Sequence, residues 1–212
     1  VSNLFFPDLI TGLSRQMQLP LPGLDAQMEM APPHRGRPSA EEIAARNPRL
    51  AAVLVLLYPL ASVPHVVMIQ RPVYAGVHSG QISLPGGAFE SQDNDLAATA
   101  LRECKEELGV NTDRLQLLGP LSELYIPPSN FLVHPFVAFA TERPRFVPQQ
   151  EEVAAVLEFK LSDFLDKANH GIKKIDLPQA QFETPAYYLG EHEIWGATAM
   201  MMREFAVLIA AI

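Results

Sequence analysis

Glu103, Glu106 and Glu107 stand at positions i, i+3 and i+4 of the run Arg102-Glu103-Cys104-Lys105-Glu106-Glu107. On a helix of 3.6 residues per turn these positions share one face. Like charges so spaced destabilise a helix by roughly 0.2–0.5 kcal/mol per pair, and Arg102 and Lys105 offset only part of that. A divalent cation removes the conflict, because Mg²⁺ prefers oxygen donors and leaves coordination positions for water and phosphate. Three helical glutamates alone read as a solvated acidic face. The upstream run Ser83-Leu84-Pro85-Gly86-Gly87 changes the context, because a Gly-rich turn lets backbone approach an anion closely.

The elements that must carry these groups follow from periodicity. Ala97, Ala98, Leu101, Cys104 and Leu108 recur at three- and four-residue steps, so Asp95 to Leu108 reads as a helix, closed by Gly109. Buried-strand candidates precede it at Ala51 to Leu57 and His65 to Gln70. Others follow at Leu115 to Tyr125, Phe131 to Ala140, Val153 to Phe159 and Phe182 to Leu189. Leu161 to Lys167 reads as a short helix and Ile194 to Ile212 as a long apolar one. Strands mixed with a few helices indicate an α/β sandwich. Residues 1–48 differ in character. Leu4 to Met17 fits an amphipathic helix, the prolines between Leu19 and Pro33 break regular structure, and Ser39 caps a helix ending near Asn47-Pro48. The expected organisation is a helical, Pro-rich arm over 1–48 and one main domain over 49–212.

Composition excludes several classes. The 212 residues are 48% apolar, enough for a real core, and the formal net charge of −8 offers no basic footprint for a nucleic-acid partner. The short basic run His34-Arg35-Gly36-Arg37 reads as a solvated linker. Cys104 is the sole cysteine, so no internal disulfide or oxidising compartment is implied, and its place in the helix marks it as a core thiol. Leu50 to Leu57, the longest apolar run, is too short to span a bilayer, and Val1 to Phe6 lacks the pattern of a signal peptide. A cytoplasmic protein without a membrane partner is expected.

Gly87 followed by Arg102-Glu103-Cys104-Lys105-Glu106-Glu107-Leu108-Gly109-Val110 resembles the signature of the Nudix hydrolase family, G-x5-E-x7-R-E-U-x-E-E-x-G-U, where U is apolar. The second half matches at every position with Cys104 as the apolar residue. In the first half the loop carries one extra residue: counting from Gly87 reaches Asp93, and counting back from Arg102 reaches Asn94. Asp93 is expected to replace the first glutamate. Gln70-Arg71, the run His78 to Gly87, Ala98 to Glu103, Tyr125 to Asn130 and Ile194 to Thr198 further resemble coenzyme A pyrophosphatases of that family.

The resemblance implies a Nudix-type α/β/α sandwich with a mixed sheet. It implies hydrolysis of a phosphoanhydride in a nucleoside diphosphate linked to X, here coenzyme A or a derivative, with Mg²⁺ or Mn²⁺ as cofactor. It assigns Gly87, Glu103, Glu106 and Glu107 to the metal and Arg102 to orienting a glutamate. Glu152 is the late candidate for general base. Arg71, with its planar fork, His78, Gly86 and Gly87 are candidates for the phosphates, and Tyr125 or Trp195 for stacking on the base. Family members are often dimers, so a homodimer is an open expectation. Two alternatives stand beside this reading: hydrolysis of another substrate (nucleotide sugar, ADP-ribose, dinucleoside polyphosphate or oxidised nucleotide), and a non-catalytic nucleotide-binding module.

Overall fold

The computed structural model describes residues 5–73, 80–177 and 180–212. His78 lies outside them. In chain order the elements are α1 (Phe6–Gln16), α2 (Gly23–Met28), α3 (Ala40–Ala45), β1 (Arg49–Leu60), β2 (Val63–Gln70), β3 (Ile82–Ser83), β4 (Gly86–Ala88), α4 (Leu96–Leu108), β5 (Gln116–Pro120), β6 (Leu124–Ile126), β7 (Phe131–Phe139), β8 (Ala155–Lys160), β9 (His170–Leu177), β10 (Ala180–Leu189), β11 (His192–Trp195) and α5 (Gly196–Ala210).

A mixed sheet forms the middle layer. Its main path runs β3-β2-β1-β7-β5, with β4 added to β1, β6 to β7 and β8 to β2. β1 and β7 pair in parallel, while β4 and β6 join antiparallel. β1 is buried along most of its length and its side chains alternate between two cores. Ala52, Leu54, Leu56 and Tyr58 meet Ala100, Cys104 and Leu108 of α4 on one face. Val55 and Leu57 join Met201, Phe205 and Ile209 of α5 on the other. The result is the expected α/β/α sandwich, and a second sheet, β11-β10-β9, leads into α5.

Asp95 caps α4 by accepting from Ala98 N–H at 2.8 Å, and Gly109 closes it in the left-handed region at φ 65°. Ser39 and Glu42 form a full capping box on α3. Four expectations give way. The proline-rich stretch contains the short helix α2, started from Pro22, a residue whose fixed φ suits a first turn. The strand expected over Leu115 to Tyr125 is split into β5 and β6, after a register shift between Leu117 and Gly119. Leu161 to Lys167 holds a 3-10 turn, Leu161–Phe164, and the first residue of another, Lys167–Asn169, in place of one helix. The last helix starts at Gly196, because His192 to Trp195 pairs with β10 as β11.

Residues 5–31 are packed into the main core. Phe6, Leu9, Leu13, Met30 and Ala31 belong to the same buried cluster as α5. A buried carboxylate ties them down. Glu204, with no exposed surface, accepts from Gly23 N–H at 3.2 Å, Ser122 N–H at 3.1 Å and Gln27 Nε2 at 2.8 Å. Outside it, Arg203 donates twice to Glu29. Replacing Glu204 by Ala takes the acceptor from one buried and two half-buried donors, which costs about 2–3 kcal/mol at typical penalties for unpaired groups. Chemical denaturation of Glu204→Ala should show that loss, and an unchanged midpoint would remove Glu204 from this role.

Candidate active site

The site sits where β4 crosses between β1 and the middle of α4. Gly86 and Gly87 pair with Val53 and Ala52 of β1. A Cβ at Gly86 would lie 2.4 Å from Ala52 O and 2.6 Å from Val53 Cα, so no side chain fits. A Cβ at Gly87 would lie 2.2 Å from Glu103 Oε1. The two glycines thus let the turn pass flat between strand and helix, with the Glu103 carboxylate resting on Gly87.

Arg102 organises the rest. Its Nε and Nη2 donate to the two oxygens of Asp93 at 2.9 and 3.0 Å. Nη1 donates to Glu103 Oε1 at 2.9 Å and Glu106 Oε2 at 2.8 Å, and Nη2 reaches Ala88 O at 3.0 Å. Asp93 is therefore the acid that the expanded loop delivers to Arg102. Asp93 also accepts from Thr99 Oγ1 at 2.9 Å, a partner the sequence reading missed. The guanidinium holds the Asp93 carboxyl far below the usual carboxylate range.

The three glutamates occupy different environments. Glu107 is 2% exposed and accepts from Gly86 N–H at 2.8 Å. Burial pushes its pKa up to about 8; the Gly86 N–H and the nearby Arg71 charge pull it down, while Glu103 and Glu152 push it further up. Glu103 is also raised by burial, and the charges of Glu106 and Glu152 add to that. Glu106 is half exposed. Among the described residues no three acidic, imidazole or thiolate side chains already converge as a metal cage. The donor set still suits a hard cation. Glu103 and Glu106 each have one oxygen engaged by Arg102 and Glu107 one by Gly86, so each keeps a second oxygen without a partner among the described residues.

Glu152 lies in a turn ahead of β8 rather than opening a strand. Backbone bonds explain its approach. Val147 N–H donates to Leu108 O at 2.8 Å and Gln149 N–H to Glu107 O at 3.0 Å, which hangs this segment from the end of α4. Glu152 N–H then closes on Gln149 O at 3.0 Å. Arg71 follows β2, held by its own N–H to Gln81 O at 3.0 Å. The structure therefore gathers Arg71, Gly86, Gly87, Arg102, Glu103, Glu106, Glu107 and Glu152. It does not offer Tyr125 for stacking. That ring is 6% exposed, its hydroxyl donates to Asn130 Oδ1 at 2.9 Å, and Arg46 lies over it at 5.6 Å. Trp195 stands half-buried at the start of α5, and Cys104 is a fully buried thiol whose pKa burial raises to about 12.

Comparison with known proteins settles the family. A NUDIX domain profile matches residues 48–177. The chain belongs to the Nudix hydrolase family. The Nudix hydrolase NudL of Pectobacterium atrosepticum, itself uncharacterized, is 30% identical over 76% of this chain and 83% of its own. The human protein named mitochondrial coenzyme A diphosphatase NUDT8 is 32% identical over 78% of this chain and 71% of its own. Among solved structures, the Nudix hydrolase RenU of M. smegmatis superposes with a TM-score of 0.54 at 18% identity, covering 77% of this chain and 87% of that one. A C. elegans Ap4A hydrolase gives 0.52 at 17% identity, covering 77% and 99%. These two likenesses speak for the fold. As a Nudix enzyme the chain is a pyrophosphohydrolase of small nucleotide substrates, and such hydrolases generally use divalent metal ions.

In the metal-free protein Glu107 sets a pH dependence of stability. Its folded pKa of about 8 lies above the ordinary 4.5. Stability from this group is complete below the ordinary value and is lost as pH rises toward 8. Melting in chelator should therefore fall across that window in the wild type and vary much less in Glu107→Gln. A wild-type slope identical to that of the variant would refute the buried, raised carboxyl.

Proposed function

We propose that this enzyme hydrolyses the phosphoanhydride of coenzyme A or a derivative, giving 3′,5′-ADP and 4′-phosphopantetheine. The observation that carries the reaction type is the seating of Glu103 and Glu107 on the Gly86-Gly87 turn, with Arg102 spanning Asp93, Glu103 and Glu106. The observation that favours the substrate is the kinship with the human protein named a coenzyme A diphosphatase.

A pyrophosphate is strongly anionic and repels a hydroxide nucleophile. A divalent cation, Mg²⁺ or Mn²⁺, supplies the neutralising charge and lowers the pKa of bound water. In this reading Glu103, Glu106 and Glu107 hold it through their free oxygens, with the Gly87 carbonyl as a backbone donor. Arg102 aims Glu103 and Glu106 and does not touch substrate. Glu107 also clamps the Gly86 N–H, so the turn facing the phosphates is fixed before substrate arrives, which is where catalysis at phosphorus draws most of its strength. Glu152, the exposed carboxylate beside Glu103 and Glu107, accepts the proton of the attacking water. Arg71 meets a substrate phosphate, and His78 is proposed for the same role from its place in the sequence.

A complete carboxylate set gives no reason to favour a non-catalytic module. The test of substrate is a panel of coenzyme A, ADP-ribose, a dinucleoside polyphosphate and 8-oxo-dGTP, each with and without Mg²⁺ or Mn²⁺, with products identified by mass. Metal-dependent release of 3′,5′-ADP, with coenzyme A the preferred member, is the expected result; preference for another member overturns the substrate, and no cleavage with retained nucleotide binding overturns the enzyme reading. Glu106→Gln removes a half-exposed carboxylate whose pair with Arg102 contributes little to stability. Its kcat should drop by about a hundredfold or more with unchanged melting, and a wild-type rate would eliminate Glu106 as a ligand.

A further inference from the structure

A second pocket opens away from the glutamates, between the N-terminal segment and β6–β7. It has a volume of about 290 Å³ and is walled by Leu24, Arg35 and Ile43 on one side and Glu123, Tyr125 and Leu132 on the other. Pockets for whole drug-sized ligands run from about 300 to 1,000 Å³, so this one suits one end of a larger molecule.

Its position follows from strand register. Gly87 pairs with Ala52, and Ala52 with His134 of β7. Leu132 lies two residues along β7 on the same face and pairs with Tyr125 of β6. At a strand spacing of about 4.8 Å, β6 is about 14 Å across the sheet from β4. Gly87, Ala52, His134, Leu132 and Tyr125 all belong to the α4 face. The pocket therefore lies at the β6 edge, with Tyr125 and Leu132 on the face that carries the proposed catalytic carboxylates and Leu124 on the opposite face, at the distance of a nucleotide's far end.

Its chemistry is cationic within apolar walls. Arg35 is half-buried, and its guanidinium donates through Nη2 to the backbone carbonyl of Tyr125. Among the described residues it meets no carboxylate, and its remaining N–H groups have no acceptor. Arg46, over the Tyr125 ring, also has no ion pair among the described residues. This is notable in a chain of net charge −8. Glu123 is the acid on the wall, and its carboxylate lies 3.8 Å from His134 Nε2. A planar guanidinium partly withdrawn from water and lacking an anion fits a phosphate by two parallel hydrogen bonds.

We propose that this pocket binds a phosphate monoester that the substrate carries away from its scissile anhydride, with Arg35 as the residue that recognises it. Resting on the reading above, the pocket takes the ribose phosphate of coenzyme A and makes the enzyme distinguish that molecule from 3′-dephospho-coenzyme A.

The experiment compares kcat/KM for these two substrates in the wild type, Arg35→Ala and Arg35→Lys. The ratio favouring coenzyme A should fall about tenfold or more in Arg35→Ala, the scale of a lost charge-assisted pair, and less in Arg35→Lys. A ratio unchanged in both variants overturns the proposal. If Arg35→Ala does not fold, Arg35→Lys decides on the same ratio. Binding of 3′,5′-ADP against 5′-AMP is measured in parallel by calorimetry. If the wild type cleaves neither coenzyme, the substrate reading falls, and the pocket stands only if 3′,5′-ADP binds more tightly and loses that advantage in the variants. Equal binding of the two nucleotides by the wild type overturns the pocket as well.

Discussion

One guanidinium governs the site. Three glutamates and an aspartate are set around the place where a Gly-Gly turn meets a helix, and such a concentration of charge cannot persist uncompensated in a partly buried place. Arg102 spans Asp93, Glu103, Glu106 and the Ala88 carbonyl. It therefore links the loop before α4, the helix itself and the end of β4. The glycines make this geometry attainable, since Gly87 leaves room for the Glu103 carboxylate and Gly86 lies against β1.

The remaining fold supplies a rigid frame around that link. β1 is the common neighbour of β2, β4 and β7, so the turn and the far pocket are indexed to the same strand. α4 is fastened to β1 by Ala100, Cys104 and Leu108 on its apolar face, leaving Glu103 and Glu107 to face β4. The N-terminal segment is fixed through the buried Glu204, and that fixation also places Leu24 and Arg35 over β6.

Much of this was legible in the sequence because it is local. The helix over Asp95 to Leu108 carries its own period, its cap and its terminal glycine. The capping box at Ser39 and Glu42 lies within four residues. What escaped depends on tertiary partners. Linear counting points to Asp93 without giving its partner, and the structure supplies it as a bidentate bond to Arg102 with Thr99 behind. Glu152 is named from its place in the sequence, but the backbone bonds from 147 and 149 to the end of α4 that carry its segment toward the site are encoded by no motif. Tyr125 was one candidate for stacking, but Arg46 and Asn130 claim it. Arg35 read as part of a solvated linker, whereas β6 offers it a carbonyl and a pocket wall. β9 escaped because Lys173-Lys174 masks its apolar positions, and pairing with β10 makes it a strand.

The central proposal is that the carboxylates on α4 form one cation site. Calorimetric titration of Mn²⁺ into the metal-free protein, repeated for Glu103→Gln, Glu106→Gln and Glu107→Gln, tests it most directly. Saturable binding is expected, weakening about tenfold or more in each variant. Affinity left at the wild-type level in all of them would contradict that site.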